Sequence, residues 1–155
     1  MREELITAWR INQMILLGLI DAISAEGMAS TLSTRGGRNV ARQLAHIQYV
    51  RVHQLKSRAK TLAEGARLFD PKESPSKNDL KAALKDSSTR VEEWISRMGE
   101  PGFRSMKGGP ATTLAYLVSH ESHHRGSILL TLKQCGQSID AKAAMALWGD
   151  WGKST

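Results

Sequence analysis

The sequence predicts an all-α protein, a four-helix bundle with a short extra helix near its C-terminal end. Apolar residues recur every three or four positions in four segments of about 20–25 residues, as in amphipathic helices. Clusters of glycine and proline separate these segments. No segment alternates apolar and polar residues with β-branched side chains, so we expect no β-sheet.

The first two long helices are predicted from their apolar stripes. The first covers about residues 3–25 and carries Asn12 in the middle of its stripe. The second covers about residues 40–64 and follows Asn39, a side chain suited to cap a helix N-terminus. The apolar stripes include Trp9, Leu16 and Ile20 in the first helix and Leu44, Ile47 and Leu55 in the second.

The remaining helices are marked by their ends. The third covers about residues 76–98 and starts at Ser76, in an SKND run that resembles an N-terminal capping pattern. The fourth starts at Pro110, a residue favoured in a first turn, and ends before Gly136. A short fifth helix is predicted over residues 141–148. The connections of roughly 11–12 residues exceed the usual 2–8, which leaves the bundle topology open.

Length and composition narrow the class of protein. The chain has 155 residues, which suits one domain over residues 1–155. Cys135 is the single cysteine, so no intrachain disulfide can form. The first residues carry no signal pattern, and the longest apolar run, residues 14–20, is too short to cross a bilayer. We therefore expect a cytoplasmic protein without a membrane partner.

The formal net charge of +7 would suit nucleic acid, a membrane surface or an acidic ligand. However, the basic residues are spread along the chain and form no run of five or six. Aromatic residues do not alternate with them as a surface that stacks on bases would require. Nucleic acid is therefore a disfavoured partner.

The chemistry concentrates in residues 119–126, SHESHHRG, which hold three of the five histidines. On a helix, His120 and His124 leave the same face with Cβ atoms about 5–6 Å apart, so both rings can bind one divalent ion. His123 points about 100° away from His124. Two ligands rarely hold a metal ion tightly, so a third should come from another part of the chain.

The other two histidines, His46 and His53, lie seven residues apart on one side of the second predicted helix. His46 borders the apolar stripe, at about mid-height of a bundle. His53 lies two turns further along. Either could reach the ion, and we expect His53 to be a group that supports the site or a surface group, as we expect for His123.

Glu121 falls near the centre of the apolar arc of the fourth helix, close to Arg125. Charged groups there cost stability unless they are paired or act on something polar. They could pair with each other at i,i+4 spacing, orient a metal ligand or handle substrate.

Residues 120–124 also match the HExxH signature of zinc proteases. However, the sequence lacks a suitable third metal ligand downstream and a strand that could hold a peptide substrate.

Three segments together resemble the DinB/YfiT-like superfamily of metalloenzymes. Residues 44–47, LAHI, are similar to the segment that carries the first metal ligand in that family. Residues 120–128, HESHHRGSI, resemble its H-x-x-x-H-R-G-x-I run in the last bundle helix. Residues 132–136, LKQCG, are similar to its closing L-x-x-x-G, and residues 8–12, AWRIN, to its aromatic-to-Asn pattern in the first helix.

The resemblance implies a bundle, commonly dimeric, with a metal site formed by His46, His120 and His124. Members with established activities include isomerases and transferases that use low-molecular-weight thiols. We therefore predict a metal-dependent enzyme that acts on a small molecule. The predicted reaction is either a thiol-dependent transfer or isomerisation, or a hydrolysis. Zinc, nickel and iron all suit imidazole ligands. Glu121 is the candidate general base, and Asn12, His53, His123 and Arg125 are candidates for lining or supporting the site.

A non-enzymatic protein is the alternative. A small helical domain could bind a metal or another protein without catalysing a reaction. The tail at residues 148–151, WGDW, would favour an interface because exposed tryptophans are common there, although its tryptophans could also pack back on the bundle. A homodimer is expected in either case.

Overall fold

The part of the chain that the structure describes contains seven helices. In the computed structural model, this part comprises residues 2–148 and residue 151, and it contains no strand. The all-α prediction is therefore confirmed. The helices are α1 (Arg2–Ala22), α2 (Ala25–Ala29), α3 (Val40–Arg58), α4 (Lys60–Ala63), α5 (Lys77–Arg97), α6 (Pro110–Gln134) and α7 (Ala141–Ala146).

The predicted helix ends are confirmed by their hydrogen bonds. The Asn39 side chain accepts a bond from the amide of Arg42 at 2.9 Å and caps α3. Ser76 caps α5 through the amide of Asp79 at 3.1 Å. Pro110 is the first residue of α6. After α6, Gly136 adopts a φ of 69°, a left-handed conformation that suits glycine and closes the last turn.

Three details differ from the prediction. The predicted second helix is interrupted at Ala59, because residues distant in sequence satisfy the carbonyls released there. The Arg104 amide donates to the Arg58 carbonyl at 2.9 Å, and the Arg104 guanidinium donates to the Ser57 carbonyl at 2.7 Å. In addition, α2 forms inside a predicted loop, and α7 ends at Ala146 instead of residue 148.

The four long helices run up, down, down and up. Both α1 and α3 pack mainly against α5 and α6, so α1 and α3 occupy opposite corners. Arg2 bonds the carbonyl of Met98 and Gln13 bonds that of Leu84, which makes α1 antiparallel to α5. Helix α3 is parallel to α5, and both run against α6. The connection from α3 to α5 must be long because neighbouring parallel helices cannot be joined by a tight turn. The connections from α1 to α3 and from α5 to α6 join helices at opposite corners of the bundle.

The core consists of two apolar clusters with a polar layer between them. One cluster fills the end of the bundle near Leu16, Leu44 and Ile128, and the other fills the end near Trp9, Trp94 and Leu117. The side chains between them are polar and buried: Asn12, Gln13, Arg51, Ser87 and Glu121. The candidate site lies at the level of this layer.

By length and hydropathy alone, α1 could cross a membrane. Its apolar face is nevertheless occupied within the bundle, since Trp9, Leu16 and Leu19 are completely buried. A core helix passes the same test of length and hydropathy, and α1 has the packing of a core helix. Cytoplasmic localisation stays a prediction.

Candidate metal centre

Three histidine rings from two helices converge on the surface between α3 and α6. His46, His120 and His124 each offer a ring nitrogen, and the three nitrogens lie within 4.8 Å of one another. The Nε2 atoms of His120 and His124 are 3.2 Å apart. The His46 ring centroid lies 5.4 Å from that of His120 and 5.0 Å from that of His124. These are the three residues that the sequence analysis assigned as metal ligands.

Helical geometry explains how the rings meet. His120 and His124 are one turn apart on α6 and leave the same face. His46 lies on α3, which runs antiparallel to α6 at this level. Two tyrosines extend the ring cluster along the same surface: Tyr49 stacks on His46 at 6.1 Å and Tyr116 stacks on His120 at 6.3 Å between centroids.

The electrostatics of the cluster favour neutral imidazoles. Burial, with smaller contributions from Arg38 and His120, lowers the pKa of His46 to about 4. Burial also lowers the pKa of His124 to about 4, with smaller contributions from His120 and His46. The pKa of His120 is lowered mainly by burial, against the opposing effect of Glu121. Neutral rings at pH 7 have free lone pairs, which metal binding requires.

The three nitrogens therefore suit a divalent ion. Imidazole binds zinc at about 2.0–2.1 Å and is equally accepted by nickel, iron and copper. The 3.2 Å between two of the nitrogens is close to the separation of two ligands on one ion at that bond length. Three protein ligands leave coordination positions for water or substrate.

A cavity of about 410 Å³ opens beside His46. Tyr49 and Phe69 form part of its wall, and its charged lining residues are two arginines and two acidic residues: Arg38, Arg42, Asp70 and Glu73. Its volume lies within the range of small-molecule sites. This metal-side cavity offers space for a ligand next to the histidine cluster.

Glu121 faces the interior, where it pairs with Arg51 instead of Arg125. Arg51 donates from Nε to Oε1 of Glu121 at 2.6 Å and from a terminal nitrogen to Oε2 at 2.9 Å. Both side chains are 1% exposed. The i,i+4 pair considered from the sequence is thus not the observed one. Since both carboxylate oxygens accept bonds from the protein, the contacts of Glu121 are those of a structural group, and its role as a general base stays a prediction.

Asn12 and Arg125 extend the network around Glu121. Asn12 donates to Oε2 of Glu121 at 2.7 Å and accepts a bond from Arg125 at 2.7 Å. Arg125 also donates to the Ser122 hydroxyl at 2.7 Å. Asn12 is buried within the bundle. Because Arg125 bonds to Asn12 of α1, it lies on the side of α6 that faces α1.

His53 and His123 lie outside the three-ring cluster. Both are exposed. His53 stacks on Tyr49, with 5.9 Å between the ring centroids. The His123 ring contacts His124 edge-on at 5.1 Å. Neither ring belongs to the group of converging nitrogens among the described residues, and a supporting role for them stays a prediction.

Arg51 is the residue that the sequence analysis missed. The sequence analysis gave Arg51 no role, although it lies seven positions after Leu44, four after Ile47 and four before Leu55. A basic residue within an apolar stripe requires a buried anion, so its position was a usable signal. Arg51 also lies 4.6 Å from the centre of the Trp9 ring and donates to the Leu84 carbonyl.

The fold and site together define a helical bundle with a surface cluster of three histidines. The model of the DinB family matches residues 1–142, and the chain belongs to this family. A comparison with curated proteins finds no significant match. The predicted family is thus confirmed, and a three-histidine cluster of the expected kind is present.

Proposed function

We propose that the protein is a metal-dependent enzyme acting on a small molecule, with His46, His120 and His124 holding one divalent ion. The convergence of the three ring nitrogens within 4.8 Å supports this proposal most directly. Structural metal sites usually use four protein ligands, whereas a site with three keeps a position for substrate. A bound ion would supply Lewis acidity, which can activate a water or a thiol.

The chain's own residues would bind and orient the substrate. The metal-side cavity borders His46, so a molecule held there can reach the ion. Tyr49 and Phe69 would contact the apolar part of a substrate. The charged side chains of the wall, Arg38, Arg42, Asp70 and Glu73, would contact its polar part. Membership of the DinB family supports a low-molecular-weight thiol as cosubstrate. Transfer or isomerisation is the reaction type that we favour over hydrolysis.

Metal analysis of purified variants tests the ligand set. Wild type should carry about one ion per chain, and His46→Ala and His120→Ala should each carry almost none. His53→Ala is the matched control, because His53 lies on the same helix as His46 but outside the cluster. Equal metal content in all four proteins would contradict the ligand assignment, and the metal found would identify the ion.

Turnover tests the enzymatic part of the proposal separately. The metal-loaded protein is incubated with a low-molecular-weight thiol and a chromogenic aryl halide, and the thioether product is followed by absorbance. We expect a rate that is lost in His120→Ala and retained in His53→Ala. A protein that binds one ion but gives no metal-dependent rate with any thiol or ester substrate would favour the non-enzymatic alternative.

We also propose a homodimer. Large apolar side chains remain exposed near the C-terminal end of the described chain, with Met145 72%, Trp148 70% and Trp151 52% exposed. Residues 149 and 150 of the predicted interface tail lie outside the described residues. The molar mass measured by light scattering after size-exclusion chromatography would distinguish a dimer from a monomer.

A further inference from the structure

A second cavity, of about 330 Å³, lies on the side of α6 that faces α1. Its walls come from α1, α6, α7 and nearby C-terminal residues, and we call it the Arg125 cavity. It shares no lining residue with the histidine cluster or the metal-side cavity. An inference about it is therefore independent of the proposed metal site. Trp148 and Trp151 of its lining also belong to the surface proposed for the dimer. The lining is mostly apolar and includes Ile15, Val118, Leu129, Leu147, Trp148 and Trp151.

Arg125 is the one charged side chain among the described residues that line this cavity. It is partly buried. A guanidinium has five N–H donors, and Arg125 uses one for Asn12 and one for Ser122. No carboxylate among the described residues bonds to it. An arginine with spare donors in an apolar cavity is suited to bind an anion.

The neighbouring charges do not neutralise Arg125. Glu121 is the nearby carboxylate, but its two oxygens already accept bonds from Arg51. Arg51, Glu121 and Arg125 together therefore carry a net charge of +1. Arg125 itself is partly buried. The cation is thus held where water only partly solvates it, and a bound anion would relieve that cost.

We propose that the Arg125 cavity binds a small monoanionic carboxylate with an apolar tail. The carboxylate would accept bonds from the guanidinium, whose planar fork matches its two oxygens. The tail would lie against Leu129, Leu147 and Trp148. A monoanion is favoured because it matches the single uncompensated charge, whereas a dianion such as phosphate would leave a negative charge among apolar walls. The volume suits a small ligand.

Octanoate is the probe, with 1-octanol as the uncharged control of equal tail length. Calorimetry should show binding of octanoate about tenfold or more tighter than that of 1-octanol, since bonds to charged groups contribute most. The octanoate derivative 8-bromooctanoate should also quench tryptophan fluorescence. Of the four tryptophans, Trp9 and Trp94 are completely buried, so quenching would report contact with Trp148 and Trp151.

Two variants test the site by different means. Arg125→Gln removes the charge and should weaken octanoate binding about tenfold or more. Gly126→Leu should abolish binding while keeping Arg125, because Gly126 lines the cavity and an added Cβ would meet nothing within 4 Å. The open space means that this variant should fold, so it keeps the test valid if Arg125→Gln is unstable. Arg38→Gln, which removes a guanidinium from the metal-side cavity, should bind octanoate like wild type.

Three results would overturn the proposal. The first is octanoate binding that persists in the folded Gly126→Leu variant. The second is binding that is lost in His120→Ala but not in Arg125→Gln, because the carboxylate would then lie at the metal site. The third is no octanoate binding to wild type at millimolar concentration, including the case in which a second copy of the chain covers the cavity.

Discussion

At the residue scale, the ion pair of Arg51 and Glu121 dominates the interior. Two direct hydrogen bonds join the side chains, and Asn12 and the Leu84 carbonyl bond the pair further. Such a pair need not add net stability over apolar residues of the same volume, but removal of one partner leaves the other charge buried. The two side chains therefore depend strongly on each other.

Glu121→Ala should lower the free energy of unfolding by about 3–5 kcal/mol, because it leaves the Arg51 charge without a partner in the core. Urea denaturation followed by circular dichroism measures this change. The control is Glu92→Ala, which breaks the partly exposed pair with Arg10 and should cost about 1 kcal/mol or less. A loss for Glu121→Ala no larger than that of the control would show that water reaches Arg51 more easily than its burial indicates.

Gly126 inside α6 and Gly136 just after its end should respond to alanine in opposite ways. Gly136→Ala should lower the free energy of unfolding by about 1 kcal/mol, because φ is 69° there and a Cβ is disfavoured in the left-handed region. Gly126→Ala should raise it by about 0.5–1 kcal/mol, because Gly126 lies in the helix interior with open space around its Cβ position. Thermal and urea denaturation measure both, and equal signs would contradict the prediction.

At the scale of the element, one turn of α6 serves three different environments. His120 and His124 face α3, Glu121 faces the core, and Arg125 faces α1. The separation follows from the rotation of about 100° per residue. This part of the site was accessible from the sequence, because helical periodicity fixes where each side chain leaves its own helix. The partner of Glu121 could not be predicted from the sequence, because helical periodicity does not indicate which residue of another helix lies opposite.

The N-terminus of α3 contributes to the position of His46, which lies two turns further on. Asn39→Ala should lower the free energy of unfolding by about 1 kcal/mol, because the Arg42 amide loses its acceptor. Asn39→Asp should stay close to wild type, because aspartate offers an acceptor at the same position. Denaturation curves of the three proteins test this. An equal loss in both variants would mean that the bond from Asn39 to the Ser74 hydroxyl, at 3.0 Å, matters more.

At the scale of the whole molecule, a metal ion would join α3 to α6, two helices far apart in sequence. Binding to the folded state alone raises stability by about 2.7 kcal/mol at a free concentration of 100 times Kd. For a chain of this length, that corresponds to a rise in Tm of about 5–10 °C. Chelation should reverse the rise in wild type and in His53→Ala, and it should have no effect in His46→Ala. Thermal scans with and without chelator measure this, and an equal shift in His46→Ala would contradict a site shared by the two helices.

The sequence by itself determined the helical class, the long helices with most of their ends, and the placement of His120 and His124 on one helix face. These are local properties, since capping, periodicity and the spacing of His120 and His124 depend on neighbours within a few residues. Tertiary structure alone decided the up-down-down-up arrangement, the break at Ala59 and the pairing of Glu121 with Arg51. Each of these depends on contacts between segments far apart in the chain, and such contacts arise only when the helices pack.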